Sequence, residues 1–207
     1  MTEAEQRTVH LVDDDDSVRR SVGFMLKTSG YKVLSYASGQ ELLAASKELG
    51  DGCILMDIRM PGMDGLEVQE ALRERGVALP VVIMTGHGDI ALAVRAMKAG
   101  AIDFIEKPFD KPVLMAALEQ SFASLSTAAD SRGRAKDALV RLQVLTARER
   151  QVLDGLADGL PNKTIAFDLG ISPRTVEIHR SNLMTKLRVR SLSEALRIAF
   201  AAQEQSA

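Results

Sequence analysis

The chain has 207 residues, 46% of them hydrophobic and 26% charged, with no Trp and a single cysteine. That apolar share excludes general disorder, and the lone Cys53 excludes an intrachain disulfide framework and a cysteine-based zinc cluster. The formal net charge of -2 hides an asymmetry, since residues 1–125 carry 13 Lys+Arg against 19 Asp+Glu whereas 141–207 carry 10 against 7, so two halves with different partners are expected.

The opening MTEAEQRT has neither the basic nor the apolar region of a signal peptide. No apolar run approaches the roughly 18 residues of a membrane span. A cytoplasmic location with no membrane partner is therefore expected. TVHLVD, KVLSY, CILMD, PVVIMT and DFIEK then read as five short strands. The stretches between them, such as SVRRSVGFMLKTSG and DIALAVRAMKAG, have apolar residues at helical spacing and end in Gly. Short apolar strands alternating with helices predict a parallel sheet covered on both faces, an α/β flavodoxin-like (βα)5 domain over residues 8–124. In such sheets ligands sit beyond the carboxyl ends of the strands.

Those ends are chemically unusual. Strand one ends at Asp13 and Asp14, strand three at Asp57, strand four at Thr85, and strand five runs into Lys107-Pro108. Three carboxylates at one sheet edge repel one another unless something positive lies between them. A hard divalent cation with oxygen ligands resolves the conflict, and Lys107 and Thr85 add a compact charge and a hydroxyl. These are the parts for handling a phosphoryl group, with Asp57 as nucleophile. Asp15 and Asp16 read instead as a helix cap and its first turn.

Residues 125–142 are small and charged and read as a partly helical linker. From 143 to 204 the patterns are helical only, predicting a small all-α domain. NKTIAFDLGISPRTVEIHRSNLMTKL is helix, turn at Gly170, then helix, with Ser172 as N-cap and Pro173 in the first turn. That is a helix-turn-helix pattern, although any αα corner has a similar one. On the second helix Val176, Leu183 and Leu187 form the core stripe. The other side carries Arg174, Glu177, Ile178, Ser181 and Thr185. Ile178 suits a thymine methyl and Glu177 a cytosine amino group. Lys163, Arg180, Lys186 and Arg188 flank this face at places suited to phosphates, and Thr175 is a further DNA-binding candidate. His179 has no second His at ligand spacing, and His10 and His87 read as incidental.

LVDDDD, LMDIRMPGMDG, VIMTGHGD and FIEKPF resemble the receiver domain of two-component response regulators. LTARERQVLDGLADG, NKTIAFDLGIS and RTVEIHRSNLMTKL resemble the LuxR/NarL helix-turn-helix domain, and the whole order is similar to FixJ-type regulators. The resemblance implies that Asp57 is the phosphoacceptor and that Asp13, Asp14, Asp57 and the Arg59 backbone carbonyl hold Mg²⁺. It implies that Thr85 and Lys107 contact phosphoryl oxygens, that Phe104 is the aromatic switch residue, and that Pro108 follows a cis peptide. A sensor histidine kinase, promoter DNA, RNA polymerase and, on phosphorylation, a second copy of the chain are the implied partners. The expected function is a phosphorylation-gated transcription regulator and not an enzyme. Two alternatives stand beside it: a regulator independent of phosphate, and a Mg-dependent aspartyl phosphatase. The second normally has an acid two residues past the nucleophile, where this chain has Arg59.

Overall fold

A computed structural model describes residues 7–86, 90–125 and 138–203. The backbone separates into two compact units, 1–87 with 99–127 and 88–98 with 128–207.

In the chain's α/β part, β1 (Thr8–Val12), β2 (Lys32–Tyr36), β3 (Cys53–Asp57), β4 (Val81–Thr85) and β5 (Asp103–Glu106) are the five strands read from the sequence. They form one sheet in the order β2-β1-β3-β4-β5, and every pair is parallel. The helices α1 (Asp16–Lys27), α2 (Gly39–Ala44), α3 (Gly65–Glu74), α4 (Ile90–Lys98) and α5 (Lys111–Leu125) alternate with them. The strand order reverses direction at β1 and β3, so the crevice of such a sheet opens at their carboxyl ends.

Strand alternation divides the core. Val9, Leu11, Cys53, Leu55, Val82, Met84 and Ile105 meet Val22 and Leu26 of α1 and Leu114, Ala117 and Leu118 of α5 in one buried cluster. The side chains between them, Val12, Ile54, Met56 and Ile83, are also wholly buried, as neighbours on a strand face opposite ways. β3 and β4 are buried along their full length, which is why they read as unbroken apolar runs. The edge strand β2 is largely exposed and starts at Lys32, a residue that discourages edge pairing. His10 is a core residue of β1, wholly buried with Nδ1 3.2 Å from the Tyr36 hydroxyl. Burial lowers its pKa and so favours the neutral ring.

The second set of elements is α6 over residues 138–142, then α7 (Ala147–Ala157), α8 (Asn162–Leu169), α9 (Pro173–Leu187) and α10 (Leu192–Gln203). All regular structure among its described residues is helical, as the sequence predicts. Val152, Leu153, Leu156, Ile165, Val176, Leu183, Leu187, Ala195 and Leu196 are among its buried apolar residues. Residues 126–137, most of the expected linker, lie outside the described residues. No helix among the described residues is long and apolar enough to cross a membrane.

One polar group in this core stands out. Glu149 is only 3% exposed. Its carboxylate closes the capping box of α7 by accepting from the Thr146 amide at 2.8 Å, and it also accepts from Lys186 Nζ of α9 at 2.8 Å. Burial pushes this carboxyl up, but Lys186 and Thr146 outweigh it and the net shift is down. A depressed carboxyl contributes stability above its unfolded value and loses it as pH falls through the folded value. Glu149→Gln is thus expected to cost about 1–3 kcal/mol near neutral pH and to flatten acid destabilisation. Thermal melts of wild type and variant between neutral and acid pH check both effects.

Candidate functional site

The carboxyl ends of β1, β3 and β5 place three charged side chains together. Asp13 follows β1 and is 1% exposed, and Asp57 ends β3 at 8%. Lys107, one residue past β5, reaches between them, its Nζ 2.7 Å from Asp13 Oδ2 and 2.7 Å from Asp57 Oδ1. One ammonium therefore bridges two buried carboxylates and offsets only one of their two charges. Burial pushes the Asp57 carboxyl up, and Asp13 adds to that. Lys107 and a backbone hydrogen bond from Arg59 pull it down without cancelling the rise. Burial pulls Lys107 down, but its two carboxylates more than reverse that and hold it up.

The surroundings fix the geometry. Asp13 Oδ1 accepts from the Asp15 amide at 2.9 Å, which turns the side chain into the pocket. Arg19 of α1 donates to the Asp13 carbonyl at 2.6 Å. Asp15 caps α1 by accepting from the Ser17 amide at 2.7 Å, and Asp16 in the first turn pairs with Arg19 and Arg20. Thr85 ends β4 beside the pocket strand, since Asp57 is in register with Met84. It is buried, and its Oγ1 donates to the Gly86 carbonyl at 3.0 Å. Phe104 is half-buried on β5, and the Lys107–Pro108 peptide is cis.

Sequence reasoning gathered three carboxylates; the structure gathers two. Asp14 is exposed, and among the described residues no three metal-type side chains cluster. β1 ends at Val12, and Asp14 lies in the bend that follows it, where its side chain is open to solvent. Two hard carboxylates with a nearby ammonium still fit Mg²⁺, which takes one or two carboxylates and keeps its waters.

Gly65 is a positioning residue that the sequence reading passed over. A Cβ there would lie 2.8 Å from the Asp57 carbonyl oxygen and 3.0 Å from Ile58 Cα. The Gly65 amide also donates to the Ile58 carbonyl at 2.9 Å. The first turn of α3 thus lies directly against the backbone that carries Asp57. Gly65→Ala is expected to cost about 1–3 kcal/mol, because backbone cannot move aside as a side chain does. A urea unfolding midpoint measures it.

The other candidate surface is α9. Gly170 ends α8 at φ 65°, Ser172 caps α9 by accepting from the Thr175 amide at 3.1 Å, and Pro173 opens the first turn. Val176, Leu183 and Leu187 are buried, while Arg174, Glu177, Ile178, Ser181 and Thr185 are all exposed. Ile178 is 50% exposed, so an apolar β-branched side chain stands in solvent among polar ones. Lys163 and Arg188 are exposed, Thr175 and Arg180 intermediate. Arg174 pairs with Glu177 at 2.9 Å, and Lys186 is engaged by Glu149.

Residues 9–119 match the response regulator receiver domain family, and residues 143–199 match the luxR family of bacterial regulatory proteins. The transcriptional regulatory protein FixJ of Azorhizobium caulinodans is 50% identical over 202 residues, covering 96% of this chain and 94% of that protein. FixJ of Rhizobium meliloti is 46% identical over 194 residues, covering 94% of this chain and 95% of that protein. The crystal structure of full-length FixJ from B. japonicum is similar at a TM-score of 0.58 and 43% identity, covering 96% of this chain and 98% of that one.

The chain belongs to the response regulator family. It is a two-component response regulator with a LuxR-type DNA-binding domain, a FixJ-like transcription regulator and not a classical enzyme. In this response regulator four of the residues predicted at the strand ends, Asp13, Asp57, Thr85 and Lys107, are buried or half-buried at one edge of the sheet, and the fifth, Asp14, is exposed. The response regulator's five predicted base-facing residues share one exposed helix side. Sequence reasoning missed Arg19, Gly65 and Glu149. Only Glu149 had a readable signal, the capping box TARE before an apolar run. His87 lies outside the described residues.

Proposed function

We propose that Asp57 accepts a phosphoryl group from a sensor histidine kinase and that this modification gates DNA binding. The observation that carries the reading is Lys107 Nζ at 2.7 Å from both Asp57 and the buried Asp13. A carboxylate oxygen of Asp57 attacks phosphorus in line, the bond from phosphorus to the kinase imidazole nitrogen breaks, and that nitrogen leaves with the electron pair and is neutral once freed. Asp13, Asp57 and the Arg59 carbonyl are the oxygens that would hold Mg²⁺, which would supply charge neutralisation at the phosphoryl oxygens. Lys107 is placed to pair with the same oxygens, so the chain's contribution is position and charge.

Phosphorylation replaces one negative charge by about two and adds acceptor oxygens. Thr85 Oγ1 leaves the Gly86 carbonyl for a phosphoryl oxygen, Lys107 follows, and Phe104 rotates into the space that Thr85 vacates. The switched chain then pairs with a second copy. A dimer presents two α9 helices to two half-sites of promoter DNA, where RNA polymerase is the further partner. Such partners place the protein in the cytoplasm.

The test is mass and oligomeric state with and without acetyl phosphate and Mg²⁺, for wild type and Asp57→Asn. One phosphoryl group gained with dimerisation, and neither in the variant, is the expected result. Failure of the wild type to label, with undiminished DNA affinity, would favour the phosphate-independent regulator. Labelling without a change in association would remove the dimer step.

A further inference from the structure

The last turn of α9 is held at two adjacent residues. Lys186 pairs with the buried Glu149, as described above. The carbonyl of Leu187 accepts from the guanidinium of Arg141 at 2.7 Å, across 46 residues of sequence. A helix ends with carbonyls that lack partners within the helix. Here Arg188, left-handed at φ 54°, turns the chain so that its amide reaches the Thr185 carbonyl at 3.1 Å, and the Val189 amide reaches Met184 at 3.0 Å. The Leu187 carbonyl at the same end is taken by Arg141. A cation is also the favoured charge at a helix C-terminus.

Arg141 belongs to α6, the last turn before the helical domain proper. Ala138 and Leu142, spaced by four residues on either side of it, are each 4% exposed. The turn is therefore seated by apolar burial, and its arginine is free to act on α9 rather than to hold α6 in place. After α6 the chain turns through Leu145, whose amide donates to the Leu142 carbonyl at 3.2 Å, and enters the Thr146–Glu149 capping box. The segment 141–149 thus touches successive residues of the base-facing helix with one cation and one anion.

We infer that Arg141 is a positioning residue for DNA recognition: it pins the C-terminal turn of α9 to α6 and so sets the helix's pose against the bases. This rests on the reading of α9 as the DNA-contacting helix. Arg141 has no place in that reading's contact set, and its action runs through the Leu187 carbonyl. The guanidinium suits the task because it stays charged and can be seated by its stem while its planar head meets an oxygen.

A salt titration separates this role from its rivals, because each phosphate contact steepens the dependence of log Kd on log salt by about 0.9. The experiment uses the full chain and a duplex that the wild-type protein selects from a randomised pool. Wild type, Arg141→Met and Arg141→Lys are compared in affinity across salt, well below their melting midpoints. The expected result is about a tenfold weaker Kd for the methionine variant with an unchanged salt slope, and partial recovery by lysine, which can still donate to a carbonyl. Unchanged affinity overturns the inference. A slope reduced by one phosphate equivalent also overturns it, since Arg141 then touches DNA directly. So does a loss of affinity matched by an equal loss in the lysine variant and a large fall in melting midpoint, which marks a purely structural residue. If the wild type selects no duplex, the DNA-binding reading itself fails and takes the inference with it.

Discussion

Lys107→Met is expected to lower the unfolding free energy by about 3 kcal/mol near neutral pH, the cost of stranding buried charges without their partner. Asp13 and Asp57 are both buried, and the lysine is the cation bonded to each. The pH dependence follows from the raised Asp57 carboxyl, which burial lifts and Lys107 only partly restrains. A raised carboxyl contributes stability below its unfolded value and loses it as pH rises through the folded value. Removing Lys107 takes away the chief downward pull, so the folded value rises further and the loss at neutral pH deepens. The gap between variant and wild type should therefore widen from acid to neutral pH. Urea unfolding midpoints across that range measure it. A gap constant with pH would assign the effect to packing of the lysine stem instead of its charge.

Ile178→Asp is expected to leave stability within about 0.5 kcal/mol and to abolish most DNA affinity. The side chain is half exposed and lies outside the buried stripe of Val176, Leu183 and Leu187, so the fold has little stake in it. In a major groove the same position loses an apolar contact with a thymine methyl, which is part of about 1–3 kcal/mol of discrimination. It also brings a carboxylate among phosphates, where like charges repel. Affinity titrations beside thermal melts separate the two quantities. A variant that binds DNA as the wild type does would move the reading face elsewhere on α9.

Much of this is legible in the residue pattern. The five strands were readable because a sheet buried on both faces demands unbroken apolar runs such as CILMD and PVVIMT. The pocket was readable because parallel strands carry their final residues to one edge, so Asp13, Asp57, Thr85 and Lys107 could be placed together from spacing alone. Gly170, Ser172 and Pro173 announced the turn between α8 and α9, each by the backbone angle or cap it favours. The exposed face of α9 followed from helical period.

Other features had no local signature. Asp13 and Asp14 are equivalent in sequence, yet the structure turns only Asp13 onto Lys107, because the Asp15 amide holds its other oxygen. The need for Gly65 arises from how closely α3 approaches the backbone after Asp57, a distance no residue pattern encodes. Lys186 looked like a surface cation on a basic helix, and it is engaged by Glu149 from 37 residues away. Arg141 reads as one more charge in a linker until the Leu187 carbonyl is seen beside it. The order of elements, the edge at which the acidic pocket forms and the solvent-facing side of α9 are thus written in the residue pattern, since each depends on periodicity or on a residue's own backbone preference. Which carboxylate meets the lysine, which glycine must stay small and which arginine holds the helix end were decided only by tertiary structure. Those depend on contacts between segments far apart in the chain, where packing chooses the partner.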